Sequence, residues 1–137
     1  MQYKNVLTTC PYCGVGCGIN LQVLDEKVVG SLPSRTHPVS QGGLCIKGWN
    51  AHAFVHHEDR LKTPLIRDQK GGEFRQASWD EALALVAEKL GAARAAHGAD
   101  AIGVLASAKC TNEENYVLQK FARAVIGTNN VDHCARL

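Results

Sequence analysis

The sequence predicts an α+β fold in two parts: a small β-rich segment built around cysteines, then the opening βα units of an α/β domain. Three observations predict it. Cys10, Cys13, Cys17 and Cys45 stand at metal-ligand spacings in a stretch that lacks helical periodicity. Short β-type runs broken by turn residues fill the rest of that stretch. Beyond Arg60, apolar stripes behind helix-capping signatures alternate with strand-like runs.

The first element is the thiol motif itself. It reads Cys10-Pro11-Tyr12-Cys13-Gly14-Val15-Gly16-Cys17, and the fourth thiol arrives in Gly42-Gly43-Leu44-Cys45-Ile46-Lys47-Gly48. Four thiolates so spaced suit a [4Fe–4S] cube or a structural zinc ion. The spacing leans towards iron, because zinc sites more often pair two matched Cys-x-x-Cys knuckles; disulfides come third. Gly14, Gly16 and Gly18 fit the same reading, since glycine takes positive φ and lets backbone amides approach sulfur.

Around the thiols, Ile19-Asn20-Leu21-Gln22-Val23 and Lys27-Val28-Val29 read as strands, with turns at Asp25-Glu26 and near Ser31-Leu32-Pro33-Ser34. The segment to about His57 is short of large apolar residues, a deficit that metal binding offsets in small metallodomains. The whole chain of 137 residues allows one ordinary domain or two small ones. Its net charge of +2 is too small and scattered to suggest a nucleic-acid partner. The longest apolar run, residues 101–108, is far short of a bilayer span. Six cysteines behind an amino terminus without a signal core point to reduced thiols or metal ligands in the cytoplasm.

After Arg60 the elements change. Leu65-Ile66-Arg67 and Glu73-Phe74-Arg75 flank Gly71-Gly72 as a hairpin. Ser78-Trp79-Asp80-Glu81 is a capping box, opening a helix with Trp79, Ala82, Leu83, Val86 and Leu90 on one face and Gly98 as its C-cap. Residues 101–106 form a buried strand. Thr111-Asn112-Glu113-Glu114 is a second capping box, whose helix carries Val117, Leu118, Phe121, Ala122 and Val125 and closes at Gly127. Strand, polar loop and helix form the layout that receives phosphate-bearing ligands in a doubly wound sheet. On the residues alone, the loop Ser107-Ala108-Lys109-Cys110 reads first as a plain connection between two elements.

These motifs carry a resemblance. Thr8 through Gly18, Gly43-Leu44-Cys45-Ile46-Lys47-Gly48 and Ser78-Trp79-Asp80-Glu81-Ala82 resemble the amino-terminal part of the molybdopterin oxidoreductases. The stretch from Asn112 to Asp132 is similar to the formate dehydrogenase catalytic subunit in particular. The resemblance implies that Cys10, Cys13, Cys17 and Cys45 ligate a [4Fe–4S] cluster in residues 1–57. Residues 58–137 then begin a Rossmann-like molybdopterin-binding domain. It also implies that Lys47 relays electrons between the cluster and the proximal pterin of a bis-(molybdopterin guanine dinucleotide) cofactor carrying molybdenum or tungsten. Ser107, Lys109 and Asn112 fall in the loop that approaches the dinucleotide; relatives often carry arginine near Lys109. The implied reaction is formate oxidation to carbon dioxide, with the rest of the catalytic subunit and an electron-accepting iron–sulfur or flavin subunit as partners. Assimilatory nitrate reductase and a free-standing iron–sulfur or zinc module are the competing readings.

Cys110 and Cys134 have no spaced partner and read as ordinary thiols. His52, His56 and His57 read as packing or surface residues beside a ligand set that is already complete, and His133 carries no assignment. In the family it resembles, the segment like Cys134-Ala135-Arg136-Leu137 directly precedes the molybdenum ligand, cysteine or selenocysteine, and then a histidine. The isolated chain is therefore expected to be inactive, and Leu137 to precede a UGA codon read as stop. DNA sequencing should find UGA followed in frame by a histidine codon; UAA or UAG would end the idea.

Overall fold

A computed structural model describes residues 1–134; the expectation attached to residues 135–137 lies outside them. The chain is mixed α/β, with a β-sheet amino-terminal region. Its residues pack as two units. One comprises Met1–Arg60, Leu105–Gln119 and the residues from Asp132; the other comprises Leu61–Val104 and Lys120–Val131.

The first unit begins with an antiparallel meander of β1 (Tyr3–Thr9), β2 (Gly18–Leu24) and β3 (Lys27–Pro33). The β1–β2 register runs from Tyr3 opposite Leu24 to Thr9 opposite Gly18. Residues 10–17 are therefore the hairpin loop, and three of the four thiols ride on it. The Cys10 N–H donates to the Cys17 carbonyl at 2.8 Å, extending the ladder by one step and closing the loop's neck. Both expected strands are present, each longer than the apolar run that announced it.

Leu24 pairs with Lys27, leaving Asp25 and Glu26 as a two-residue connection at φ 45° and 64°. Two positive φ values make the mirror-image turn whose twist matches the flanking strands, a turn that ordinarily uses Asn-Gly.

Beyond β3 a run of turns leads to a short helix, α1 (Ile46–Trp49). No helix was expected before residue 57, and four residues are too few to leave a periodic signature. Tertiary contacts hold it instead. The buried Ser31 hydroxyl, on β3, lies 2.9 Å from the Gly48 carbonyl and 2.8 Å from that of Trp49, donating its one proton between them. The core beneath is small: Cys10, Ile19 and Ala51 are buried, with Tyr12, Cys17, Leu21 and Leu44 packed against them.

In the second unit, β4 (Leu65–Ile66) and β5 (Arg75–Gln76) pair antiparallel as the expected hairpin. α2 (Trp79–His97) starts where Ser78 accepts the Glu81 N–H at 3.1 Å and ends at Gly98, φ 84°. The reciprocal half of that capping box is not made. Arg75 captures the Glu81 carboxylate at 2.7 Å and holds Asp68 at 3.2 Å, and a guanidinium outbids a backbone amide for a carboxylate. No α2 residue is buried. Its apolar face and the segment from Phe121 to Ile126 line an open groove of about 490 Å³ that includes Leu83, Val86, Leu90 and Val125.

The buried strand expected at residues 101–106 is displaced. Ala99–Ala101 is a 3₁₀ turn and β6 spans Val104–Ser107, with Leu105 85% exposed. The cause is tertiary: Asp100 accepts the Thr128 hydroxyl at 2.7 Å through its carboxylate and the Asn130 amide at 2.9 Å through its carbonyl. These bonds hold the residues before β6 in a turn.

The second capping box is complete: Glu114 N–H donates to Thr111 Oγ1 and Thr111 N–H to the Glu114 carboxylate. The expected continuous α-helix is α3 (Asn112–Lys120) followed by a π-helical segment, Phe121–Ile126. Gly127, at φ 89°, and Thr128 both donate to the Ala122 carbonyl, which widens this last turn. β7 (Val131–Cys134) lies beside β6. Val104 donates to Asn130 and Ala108 to Cys134, four residues on in both strands, so the pair runs parallel.

Glutamate at positive φ bears a cost of about 1–2 kcal/mol that glycine avoids, less glycine's own entropic loss. Glu26→Gly should therefore raise stability by roughly 0.5–1 kcal/mol. Urea unfolding followed by circular dichroism measures it, and an unchanged midpoint would refute the strained-turn account.

Candidate metal centre

The hairpin loop and α1 bring the four thiols into one neighbourhood. Cys10 is buried at the loop's neck, Cys13 and Cys17 are half-buried, and Cys45 is exposed immediately before α1. Partial burial pushes the Cys17 thiol up, reinforced by the charges of Cys10, Cys13 and Cys45. Each of the other three thiols is thus near enough to oppose ionisation at Cys17. Among the described residues, no three His, Cys, Asp or Glu side chains converge on a single ion position.

Cys45 shifts the opposite way. The Gly48 and Lys47 amides hold its thiol below the usual range, and the Lys47 ammonium adds to the effect. Those amides point towards Cys45 at the start of α1 without closing a full side-chain cap. Lys47 is exposed. Glycine has three separate uses here. Gly16 sits at φ 65°, Gly18 lies under the His37 ring, and Gly14 lies under the Asn112 side chain, with no room for a Cβ at either of the last two.

The histidines have structural partners. His52 Nδ1 lies 3.2 Å from the Ser31 hydroxyl, which accepts from it when that nitrogen carries the proton. His56 Nε2 accepts the Val28 N–H at 2.9 Å. Both hold backbone that supports α1 and β3.

The remaining sequence-selected residues divide between two places. Ser107, at the end of β6, accepts the Lys109 N–H at 3.1 Å and lies 3.5 Å from Cys134 Sγ. The Ser107 hydroxyl, the Ala108 amide and the Lys109 charge together lower the exposed Cys134 thiol. Asn112 opens α3 and sends its Nδ2 to the Gly14 carbonyl at 2.9 Å, in the thiol loop.

Sequence reasoning passed over Asn115. Its Nδ2 donates to the Ser107 and Thr111 carbonyls at 3.1 and 3.2 Å, while its Oδ1 is buried without a partner among the described residues. Asparagine one turn into a helix, where its propensity is poor, was the available signal.

Residues 3–57 match the molybdopterin oxidoreductase Fe4S4 domain, and residues 60–137 match molybdopterin oxidoreductase. The chain belongs to the molybdopterin oxidoreductase family. A [4Fe–4S] cluster and a molybdopterin cofactor are the groups that this family uses, and its class is oxidoreductase. Within the family the chain is similar to formate dehydrogenase alpha subunits. It is 56% identical over its whole length to F420-dependent formate dehydrogenase 1 subunit alpha of Methanococcus maripaludis. It is 50% identical to F420-dependent formate dehydrogenase subunit alpha of Methanocaldococcus jannaschii, also over its whole length. Formate dehydrogenase H of Escherichia coli is 51% identical over 98% of the chain. The chain spans 19% of the length of each of these relatives. Among solved structures, acetylene hydratase from Pelobacter acetylenicus superposes with a TM-score of 0.71 at 26% identity, covering 93% of this chain and 18% of that one.

A lowered thiol pKa puts more thiolate, the reactive form, into solution at a given pH; a raised one puts less. In the cluster-free chain near neutral pH, iodoacetamide should label Cys45 and Cys134 before Cys17. Peptide mass spectrometry over a time course checks this order, and Cys17 leading would contradict it.

Proposed function

We propose that this chain is the cluster-bearing part of a formate dehydrogenase alpha subunit, an enzyme that oxidises formate to carbon dioxide. The observation that carries the reading is the match of residues 3–57, which hold Cys10, Cys13, Cys17 and Cys45, to the Fe4S4 domain, in a chain 50–56% identical to such subunits. Soft thiolates without competing carboxylates are the donor set of an iron–sulfur cluster, so these four residues fit the group and would hold it. The cluster, when bound, carries one electron at a time. The chain's own residues prepare the site: the hairpin neck sets Cys10 and Cys17, Ser31 seats α1, and Lys47 places positive charge beside Cys45 to steady added negative charge.

Residues 1–57 would form the cluster domain, and residues 58–137 the opening of a Rossmann-like molybdopterin-binding domain. The parallel pair β6 and β7 with α3 between them supports the second assignment. Ser107, Lys109 and Asn112 lie on or beside the polar loop at the start of α3, which suits the approach of a phosphate-bearing group. The partnerless Asn115 Oδ1 offers a buried acceptor behind that loop. The guanine dinucleotide of a bis-(molybdopterin guanine dinucleotide) cofactor, with molybdenum or tungsten, is the group we assign there. Partners would be the remainder of the catalytic subunit and an iron–sulfur or flavin subunit that takes electrons. A cytoplasmic setting agrees with six free thiols, and no described helix is long and apolar enough to cross a membrane.

Fold alone does not choose the reaction, since the superposable acetylene hydratase is named for a different one. Identity of 50–56% to formate dehydrogenase alpha subunits, against 26% to the hydratase, favours formate chemistry, and the Fe4S4 match favours iron over zinc.

The test uses the full-length enzyme. Cys45→Ser should lose iron and labile sulfide together and unfold at lower temperature, because ligation and folding are linked. Lys47→Ala should keep its iron but slow formate-driven reduction of a dye or of F420 by about tenfold or more, equivalent to about 1.4 kcal/mol on the barrier. Zinc with no labile sulfide in the parent protein, or iron unchanged in Cys45→Ser, would overturn the reading.

A further inference from the structure

Three features of the thiol loop bear on one residue outside it. Gly14 and Val15 lie between Cys13 and Cys17. The Gly14 carbonyl accepts from Asn112 Nδ2 at 2.9 Å, across 98 positions of sequence. The Val15 N–H has no acceptor among the described residues, whereas the next amide, Gly16, donates to the Cys13 carbonyl at 3.3 Å.

A trans peptide points its C=O and its N–H in opposite directions. Holding the Gly14 carbonyl therefore fixes the direction of the Val15 amide in the same plane. The fit at this point is tight: a Cβ on Gly14 would stand 2.5 Å from Asn112 Oδ1. α3, which presents Asn112, is itself anchored by the complete Thr111–Glu114 capping box. The loop peptide is thus clamped from a helix that starts far away in sequence.

We propose that Asn112 is a positioning residue for the cluster: by clamping the Gly14–Val15 peptide it aims the Val15 amide at a cluster sulfur or ligand thiolate. The inference rests on the assignment of Cys10, Cys13, Cys17 and Cys45 as cluster ligands. An amide so aimed stabilises the more negative, reduced cluster and raises its reduction potential. In this role Asn112 acts through the peptide it holds. This use goes beyond the dinucleotide-loop role given to Asn112 above, because its Nδ2 is already committed to Gly14.

The experiment is a double-mutant cycle in the full-length enzyme, read by iron and labile sulfide content and by a redox titration followed by electron paramagnetic resonance. Asn112→Ala should retain the cluster and shift its midpoint potential downward. Gly14→Ala, whose new methyl displaces the Asn112 side chain, should give a similar downward shift. Gly14→Ala/Asn112→Ala should shift no further than either single change, because one clamp is lost in all three. In the apo protein, hydrogen exchange at the Val15 amide should change little on Asn112→Ala if water already reaches it. In the loaded protein it should be protected, and protection should fall in the variant. An unchanged potential with full iron, or two shifts that add, would overturn the proposal. Loss of the cluster from Asn112→Ala would reduce Asn112 to a structural tie and overturn it as well. Absence of iron and labile sulfide from the parent enzyme would instead strike the ligand assignment beneath it.

Discussion

Thiolates brought near one another repel, and in the first unit that repulsion reaches Cys17 from three neighbouring cysteines. Cys17 shows it directly, its thiol raised by burial and by its three neighbours. Without compensation the group would stay protonated and ligate poorly, since the thiolate is the metal-binding form. The chain supplies compensation at Cys45, the exposed member, through the Gly48 and Lys47 amides and the Lys47 ammonium. A positive metal centre would remove the rest of the penalty, which is why affinity and pH are coupled at such sites. The hairpin neck between Cys10 and Cys17 and the Ser31 bond to α1 matter because they hold the like-charged groups where they are least comfortable.

Those supports come from short-range and long-range parts of the sequence, and only the former were readable. The β2–β3 hairpin follows from local pattern, an alternating β2 and turn residues at 25 and 26, whereas β1 and the hairpin that carries the thiols were not announced. Ser78 and Thr111 are equally local, and both act as the N-caps their spacing announces. The misses share one cause. Glu81 prefers Arg75 to a backbone amide, Asp100 prefers Thr128 and Asn130 to a strand, and Ser31 seats α1. Each is a partner choice made across the fold, and propensity carries no information about it. Asn112 shows the limit best. Its place at the start of a helix is plain from sequence, but its bond to Gly14 depends on tertiary structure.

The thiol quartet was the most legible feature because ligand chemistry is written in residue type and spacing. The opposite shifts of Cys17 and Cys45 were not, since burial and neighbouring thiols set the one and backbone amides the other. The same division separates class from reaction. Cysteine spacing and the two family matches define an iron–sulfur molybdopterin oxidoreductase. The choice of formate depends on identity to particular relatives, because a hydratase shares the fold at a TM-score of 0.71.

The core of the first unit overlaps its proposed metal centre. Of the three buried residues at its centre, one is a proposed ligand, Cys10; Cys17 packs against the cluster of buried residues beside Tyr12, Leu21 and Leu44. Ile19 is the one large apolar side chain fully buried there, and burying it contributes about 1.5–3 kcal/mol. Structural zinc in small thiol domains contributes on the order of 10 kcal/mol. Ligation on that scale at the proposed site would exceed the burial of Ile19 alone. Gly14, Gly16 and Gly18 add no side-chain packing of their own, which would be a poor trade in an ordinary core. The trade makes sense where the strongest bonds in the unit run through sulfur, and where the small residues leave backbone close enough to sulfur to influence it.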